Sequence, residues 1–416
     1  MASAIIAFSK DWHEDPTSNH HVLRELAKTR RVLWLNSLAT RKPSLSSSRD
    51  LGKIRRKLRE FVQGAHNVEH DLWVATPLVL PFPQSAVARA VNRQILRLTI
   101  RQLRTDLGID QFQLWSFLPN TAPYVGTLGE ELAVYYCVDE WATFPGLPRD
   151  ATLTMERKLL ERVDVSFTTS QALYQSKRGS CRETHLAPHG VDHARFARAL
   201  DPAVAIPADV AALPGPRIGF FGTLRDFIDL ELIAGVARAR PGWSVVLIGQ
   251  QLTDLTPVRG LPNVHLLGQK PHDELPAYCK GFDAGLIPYR IDDDVKFINP
   301  LKLREYLSAG VPVVSTPMPE VLPYEHLCQI AGTASDTVSA IERALRDSGP
   351  AARTMRSRAM ASETWEARVA AVDRAVEEIA LRKAHAASRR RFDVPAFAGV
   401  AEQIGDEIAL RGRARS

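Results

Sequence analysis

The stretch Asn299–Thr316, NPLKLREYLSAGVPVVST, holds the residue types and spacing best suited to chemistry on an anionic ligand. Pro300 suits the first turn of a helix, where a missing N–H costs nothing, and Gly310 suits its stop. Leu301, Leu303 and Leu307 fit a core-facing stripe, while Lys302 and Glu305 fall on another face. A helix N-terminus carries unpaired N–H groups and a partial positive charge, so with Lys302 it forms a ready site for a diphosphate. Glu305, one turn further in, can accept two hydroxyl hydrogen bonds from a ribose. A second stretch, Gly219–Asp229 (GFFGTLRDFID), runs a strand into Gly222, where the lack of a Cβ lets backbone approach a phosphate closely. Thr223 and Arg225 follow in the same loop. Asp139 and Glu140 close the segment YYCVDE at the end of a strand candidate, the end where α/β sheets bind ligands. Just after the first strand candidate, Lys10–His21 (KDWHEDPTSNHH) gathers Asp11, His13, His20 and His21. A lone histidine is most often structural, but a cluster there keeps a functional role open.

The elements that must position these groups alternate. Ala4–Phe8 reads as a strand, Thr17–Lys28 as a helix with Thr17 or Ser18 as its cap, and Arg31–Ser37 as the next strand. Further strands are expected at Leu72–Ala75, Gln113–Ser116, Leu132–Tyr136 and Ser166–Thr169, as continuous apolar runs suited to burial on both faces. The proline-rich Asp201–Pro216 reads as a linker. Beyond it, strands at Arg217–Gly222, Ser244–Gly249, Val264–Gly268, Ala284–Pro288 and Val311–Thr316 alternate with helices at Asp229–Ala239, His272–Lys280 and Pro300–Ala309. That regularity indicates a doubly wound sheet. Ser44–Ser48 is loop-like. Leu51–Val62 (LGKIRRKLREFV) is a basic amphipathic helix, open either to packing on the domain or to a membrane or acceptor surface. Ser362–Lys383 has a long helical pattern, followed by the basic run at Arg382–Arg391.

The bulk properties set limits. A chain of 416 residues is too long for a single core, so two domains are expected. No apolar run approaches the roughly 20 residues that span a bilayer, and the N-terminus lacks a basic segment followed by a long apolar one. The expectation is a cytoplasmic protein. The four cysteines, Cys137, Cys181, Cys279 and Cys328, have no CxxC or zinc spacing and read as buried reduced thiols, with no metal site expected. A formal charge of +6 suits negatively charged partners such as nucleotide diphosphates or anionic lipid. No nucleic-acid motif accompanies the basic segments.

The segment Asn299–Thr316 resembles the donor-site signature of GT-B glycosyltransferases of the family 4 type, P-x-K-x-x-E-Y-L-x-x-G-x-P-V-V, and within that group is similar to bacterial polysaccharide and teichuronic-acid glycosyltransferases. The resemblance is diffuse elsewhere but extends over roughly residues 4 to 380. Gly219–Asp229 resembles the strand-then-glycine loop opening the second domain, which makes Arg225 a diphosphate ligand. Gly268–Asp273 (GQKPHD) resembles the turn near the nucleotide base, with backbone at Gln269 and Lys270 reading the base edge. The YYCVDE segment is similar to a Y-D-x-x-D-D pattern of related polysaccharide enzymes, which casts Asp139 as the general base of an inverting reaction. The Lys10–His21 loop would face the acceptor, adding Asp11 and His20 as catalytic candidates. Val165–Asp192 resembles the family stretch ending P-N-G-V-D, with His189 in place of the asparagine and a structural turn expected there. Thr364–Arg368 (TWEAR) resembles the W-x-x-R of a last helix that crosses back to the first domain.

The sequence also departs from the pattern. Many retaining members carry two glutamates eight positions apart, and where Glu305 matches the second, Phe297 stands at the first. No lysine follows Arg225 before the next helix. The stereochemical outcome therefore stays open.

Together these readings imply an α/β chain of GT-B type, two Rossmann-like doubly wound domains facing a central cleft. Expected boundaries are 1–205 for acceptor binding, 206–362 for donor binding, 363–385 for the returning helix and 386–416 for a basic tail. The expected activity is transfer of a hexose from a UDP- or GDP-linked sugar, used as substrate, with no cofactor and no metal. The acceptor is a glycan or lipid-linked glycoconjugate, with the inner face of the plasma membrane as a candidate surface and no nucleic acid. Donor ligands are Gly222, Thr223, Arg225, Gln269, Lys270, Asn299, Pro300, Leu301, Lys302 and Glu305. Competing readings are a GT-B nucleotide-sugar epimerase or phosphorolytic enzyme, and an inactive scaffold that binds anionic partners. The Asp292–Asp294 triplet reads as an exposed acidic loop.

Overall fold

The structure, a computed structural model, describes residues 3–38, 48–82, 85–144 and 146–392. The loop expected at Ser44–Ser48 and the end of the basic tail lie largely outside those residues. The chain divides into two compact units, Met1–Val372 and Asp373–Ser416. The first contains two sheets.

In the first sheet, the strands are β1 (Ala4–Phe8), β2 (Val32–Leu35), β3 (His66–Glu69), β4 (Leu72–Ala75), β5 (Phe112–Ser116), β6 (Leu132–Cys137), β7 (Val165–Thr168) and β8 (Thr184–Leu186). Their order is β3-β4-β2-β1-β5-β6-β7-β8, with neighbours parallel except the antiparallel β3–β4 pair. Between them run α1 (Ser18–Ala27), α2 (Ser48–Gln63), α3 (Ala86–Leu107), α4 (Arg149–Leu160) and α5 (Gln171–Lys177). Ile5, Ile6, Val32, Leu33, Leu114 and Val134 are buried, as strands covered by helices require.

A connecting region carries α6 (His193–Ala197) and α7 (Ala208–Ala211), so the expected linker holds a short helix of its own. The second sheet follows with β9 (Arg217–Phe221), β10 (Ser244–Ile248), β11 (Val264–Gly268), β12 (Ala284–Ile287), β13 (Val313–Ser315) and β14 (Cys328–Ile330). Its helices are α8 (Leu230–Ala239), α9 (Leu275–Lys280), α10 (Leu301–Ser308), α11 (Ala334–Arg346) and α12 (Pro350–Ala359), and α13 (Trp365–Phe392) comes last. All neighbouring strands are parallel in the order β11-β10-β9-β12-β13-β14. The chain thus winds outward from β9 in one direction and from β12 in the other. The crevice between those two strands is the switch point where such sheets bind ligands, and the first sheet has its own between β1 and β5.

Two findings differ from expectation. The 22-residue α3, capped by the Ser85 side chain and ended by Gly108 at φ 62°, was not anticipated. The apolar side of α2 does not pack on the domain: Ile54, Leu58, Phe61 and Val62 are exposed.

Candidate active site

At the carboxyl end of β9 the chain enters Gly222 with φ 132°, a conformation that favours glycine. A Cβ at Gly222 would lie 2.3 Å from Lys302 Cε, and one at Gly249 would lie 2.0 Å from the Gly222 carbonyl oxygen. Gly249 is required by the close approach of two backbones, and Gly222 by its φ, with the flexible end of Lys302 lying over it. Lys302 is the second residue of α10, next to the unpaired N–H groups of its first turn. Its ammonium lies 3.3 Å from the Tyr289 hydroxyl and 5.4 Å from the centre of the Phe220 ring. Among the described residues it pairs with no carboxylate. Tyr306 sets this geometry, because its hydroxyl accepts from Phe221 N at 3.1 Å and donates to Gly219 O at 3.3 Å. Pro300 caps α10 and Leu301 begins it, so both shape the helix start.

Glu305 is largely buried, with its carboxylate 3.7 Å from His272 Nε2. Arg195 donates to His272 Nδ1 at 3.2 Å, which leaves the ring proton on Nε2 facing Glu305. Arg195 and His272 were not expected at the site. Thr223 and Arg225 lie in the loop beyond Gly222, partly buried, with the Arg225 guanidinium 5.9 Å from the Phe144 ring centre. Gln269 is exposed and donates to both carboxylate oxygens of Asp15 at 3.0 Å, linking the base-side turn to the first domain. The side chain of Lys270 is drawn away to Asp209 on α7, at 2.8 Å, so any contact with a base falls to its backbone.

Asn299 differs from its expected role. Its amide donates to Thr169 O at 2.8 Å and Glu320 Oε2 at 3.2 Å, and its carbonyl accepts from the buried Arg304 at 2.8 Å. Glu320 also accepts from Gln171 N at the start of α5, at 2.7 Å. Asn299 is therefore a bridge between the two sheets' domains, with no side-chain group left for the donor. Phe297 serves the same junction: it packs against the apolar cluster of the first domain.

On the first domain, Asp139 follows β6, and burial pushes its carboxyl up to about 7, with the Arg225 charge across the cleft acting in the opposite direction. Beneath it, Lys177 is clamped between Glu140 at 2.7 Å and Glu156 at 2.5 Å, which fixes the loop. The other two catalytic candidates are used elsewhere. Asp11 accepts from Ser37 N at 3.1 Å and Ser37 Oγ at 2.6 Å and pairs with Arg56 and Lys57, each at 3.2 Å. His20 is buried between the Trp12 and Trp34 rings, at 5.0 and 4.7 Å. Its Nδ1 accepts from Thr17 N at 3.3 Å and its Nε2 lies 3.0 Å from Trp12 O, so both nitrogens are committed. Burial pushes this ring down to about 4 and keeps it neutral. His20 closes a capping box on α1, a structural part rather than a base.

His189 bonds Ser18 Oγ at 3.0 Å in the interior, and the adjacent Gly190 admits the backbone of Trp365, which a Cβ would meet at 2.5 Å. Trp365 stacks on His21 with ring centres 4.8 Å apart, so α13 begins against the first domain. Asp292 turns inward on its own loop, accepting from Asp294 N and Val295 N at 3.0 Å.

Two doubly wound sheets in one chain are the architecture of the GT-B fold. Residues 215–347 match the family of glycosyl transferases group 1. A putative teichuronic acid biosynthesis glycosyltransferase of Bacillus subtilis is 25% identical over 276 residues, covering 61% of this chain and 68% of that protein. Among solved structures, sucrose-phosphate synthase from Thermosynechococcus elongatus superposes with a TM-score of 0.65 at 15% identity, over 91% of this chain and 99% of that one. Anabaena HepE, solved with UDP and glucose, superposes with a TM-score of 0.56 at 14% identity, over 92% and 99%. The family match over residues 215–347 and the likeness to that Bacillus subtilis protein make the chain a glycosyltransferase. None of the relatives named here supports the epimerase, phosphorolytic or inactive-scaffold readings.

Proposed function

We propose that this enzyme moves a hexose from a UDP- or GDP-linked sugar to a hydroxyl of a glycan or lipid-linked acceptor, with inversion. The observation that carries the reading is Lys302, held across Gly222 at the start of α10 with no carboxylate partner among the described residues. The diphosphate lies against Gly222, Thr223 and the first turn of α10, with Lys302 and Arg225 balancing its charge and Glu305 accepting from the ribose hydroxyls. Asp139 removes the acceptor hydroxyl proton. The oxygen then bonds to the anomeric carbon as the bond to the diphosphate breaks, and the nucleotide leaves with the negative charge. A carboxyl titrating near 7 is suited to that transfer. Phe297 puts an apolar ring where the family pattern has its first glutamate, so that donor-sugar contact is missing or made from elsewhere.

The membrane reading draws on α2. It presents Ile54, Leu58, Phe61 and Val62 to solvent along a basic helix, a pattern that binds anionic bilayers. No helix among the described residues is long and apolar enough to cross a membrane. The test is nucleotide release from a panel of UDP-, GDP-, dTDP- and ADP-sugars by wild type and Glu305→Ala. Release from one donor, lost in the variant, names the sugar and supports the site. No turnover and no calorimetric binding of any nucleotide would refute the reading.

A further inference from the structure

A pocket of about 490 Å³ opens on the first domain, away from the donor cradle. It is built at the carboxyl ends of the strands, the same edge of the sheet as Asp139. The loops after β2 and β4 contribute Leu38, Val79 and Leu80, the turn after β5 contributes Asn120, and α3 and α4 form the sides. Its chemistry is divided. Arg89, Arg93, Lys158 and Arg162 line it against one carboxylate, Asp150, while Val79, Leu80 and Met155 form an apolar wall. Two polar atoms of the lining, Arg93 Nε and Asn120 Oδ1, are buried without a hydrogen-bond partner. Lys158 is exposed and makes no ion pair among the described residues. In the segment that contributes Leu80, Leu78 and Phe82 are also exposed, as are Val87 and Val91 of α3.

We infer that this pocket binds the phosphate of a lipid-phosphate acceptor, whose apolar chain leaves over Leu78, Leu80 and Phe82. The inference rests on the proposed transferase reading and deepens it by giving the acceptor a phosphate and a chain. An excess of cations over carboxylates selects the anion. Exposed apolar side chains beside a cationic lining suit an apolar chain, which a free sugar phosphate does not offer.

The full chain is titrated calorimetrically with dodecyl phosphate at monomeric concentrations, with dodecyl maltoside, and with inorganic phosphate. Dodecyl phosphate is expected to bind about tenfold more tightly than either of the others, and Arg93→Ala and Lys158→Ala are each expected to weaken it by about tenfold, the loss of one hydrogen bond to a charged group. Arg101→Ala, in a separate cationic pocket on α3, is expected to leave it unchanged. Lys158→Ala alters an exposed side chain and keeps the test intact where Arg93→Ala fails to fold. Equal binding of dodecyl maltoside, equal binding of inorganic phosphate, or indifference to Lys158→Ala would overturn the inference. UDP and GDP titrations report the donor site separately. Normal nucleotide binding with no preference for dodecyl phosphate defeats the pocket alone, whereas absence of nucleotide binding defeats the transferase reading.

Discussion

The loop after β1 and the loop after β9 occupy equivalent places in their two sheets, yet they handle polar groups in opposite ways. After β1, Asp11 and His20 are enclosed by Ser37, Arg56, Lys57, Thr17 and Trp12, and each polar atom has a partner. After β9, Lys302 lies over the loop at Gly222, facing two aromatic rings and a hydroxyl instead of a carboxylate. A charge left without its counter-charge beside a helix N-terminus marks a place for an anionic ligand. A charge fully enclosed by partners marks a structural joint. Residue type alone does not separate the two cases.

The comparison can be sharpened by substitution. The largest effect is expected from Asp139→Asn, which removes the proposed base and lowers kcat by about 10²–10⁴-fold. In wild type, log(kcat/KM) is expected to rise with pH up to about 7 and then level, because the carboxylate form is the active one. A profile flat from pH 5 to 8 would remove Asp139 from the mechanism. The same group gives a signed stability effect. Its folded-state value lies above the ordinary 3.8, so its contribution is fully present below that value and is lost as pH rises through about 7. Asp139→Asn should therefore raise Tm relative to wild type at pH 8 more than at pH 5, as differential scanning calorimetry can measure.

Gly222→Ala comes next. Its Cβ would fall on Lys302, so turnover is expected to drop by about tenfold or more as the lysine is displaced, a loss seen as weaker nucleotide binding in calorimetry. Unchanged affinity would mean that Lys302 does not need to cross the loop. The smallest effect on chemistry is expected from His20→Ala. It removes a capping-box partner and a ring buried between two tryptophans, which should cost about 2–3 kcal/mol in denaturant unfolding while kcat of the folded enzyme stays within about threefold.

The strand, loop and helix that form the Gly222–Lys302 cradle were largely legible in the sequence. Their signals are local: a proline at a helix start, a lysine two residues on, a glutamate one turn later and a glycine at a strand end. The acceptor half was less so: Asp11 is held from distant segments by Ser37, Arg56 and Lys57, and His20 by a local cap that residue type does not announce. His20 reads as a base until Thr17, three residues earlier, is seen to share a capping box with it. Asn299 lies inside the most informative motif, yet its partners Thr169, Glu320 and Arg304 place it at a junction between domains. Arg304 itself, buried against Asn299, Tyr324 and Glu363, gives no periodic signal. Helix α3 is a different case. Its buried Ala88, Asn92, Leu96, Ile100, Leu103 and Leu107 keep helical spacing throughout, a local pattern that the sequence carries in full.

The most direct test of the account is nucleotide release and Tm measured together on Lys302→Ala, with His20→Ala beside it. The account predicts that Lys302→Ala loses turnover by about 10²–10³-fold with little change in Tm, as expected for a group that neutralises the leaving diphosphate, while His20→Ala does the reverse. Lys302→Ala retaining wild-type turnover, or losing it only in step with a fall in Tm, would contradict the claim that the Gly222–Lys302 cradle holds the donor.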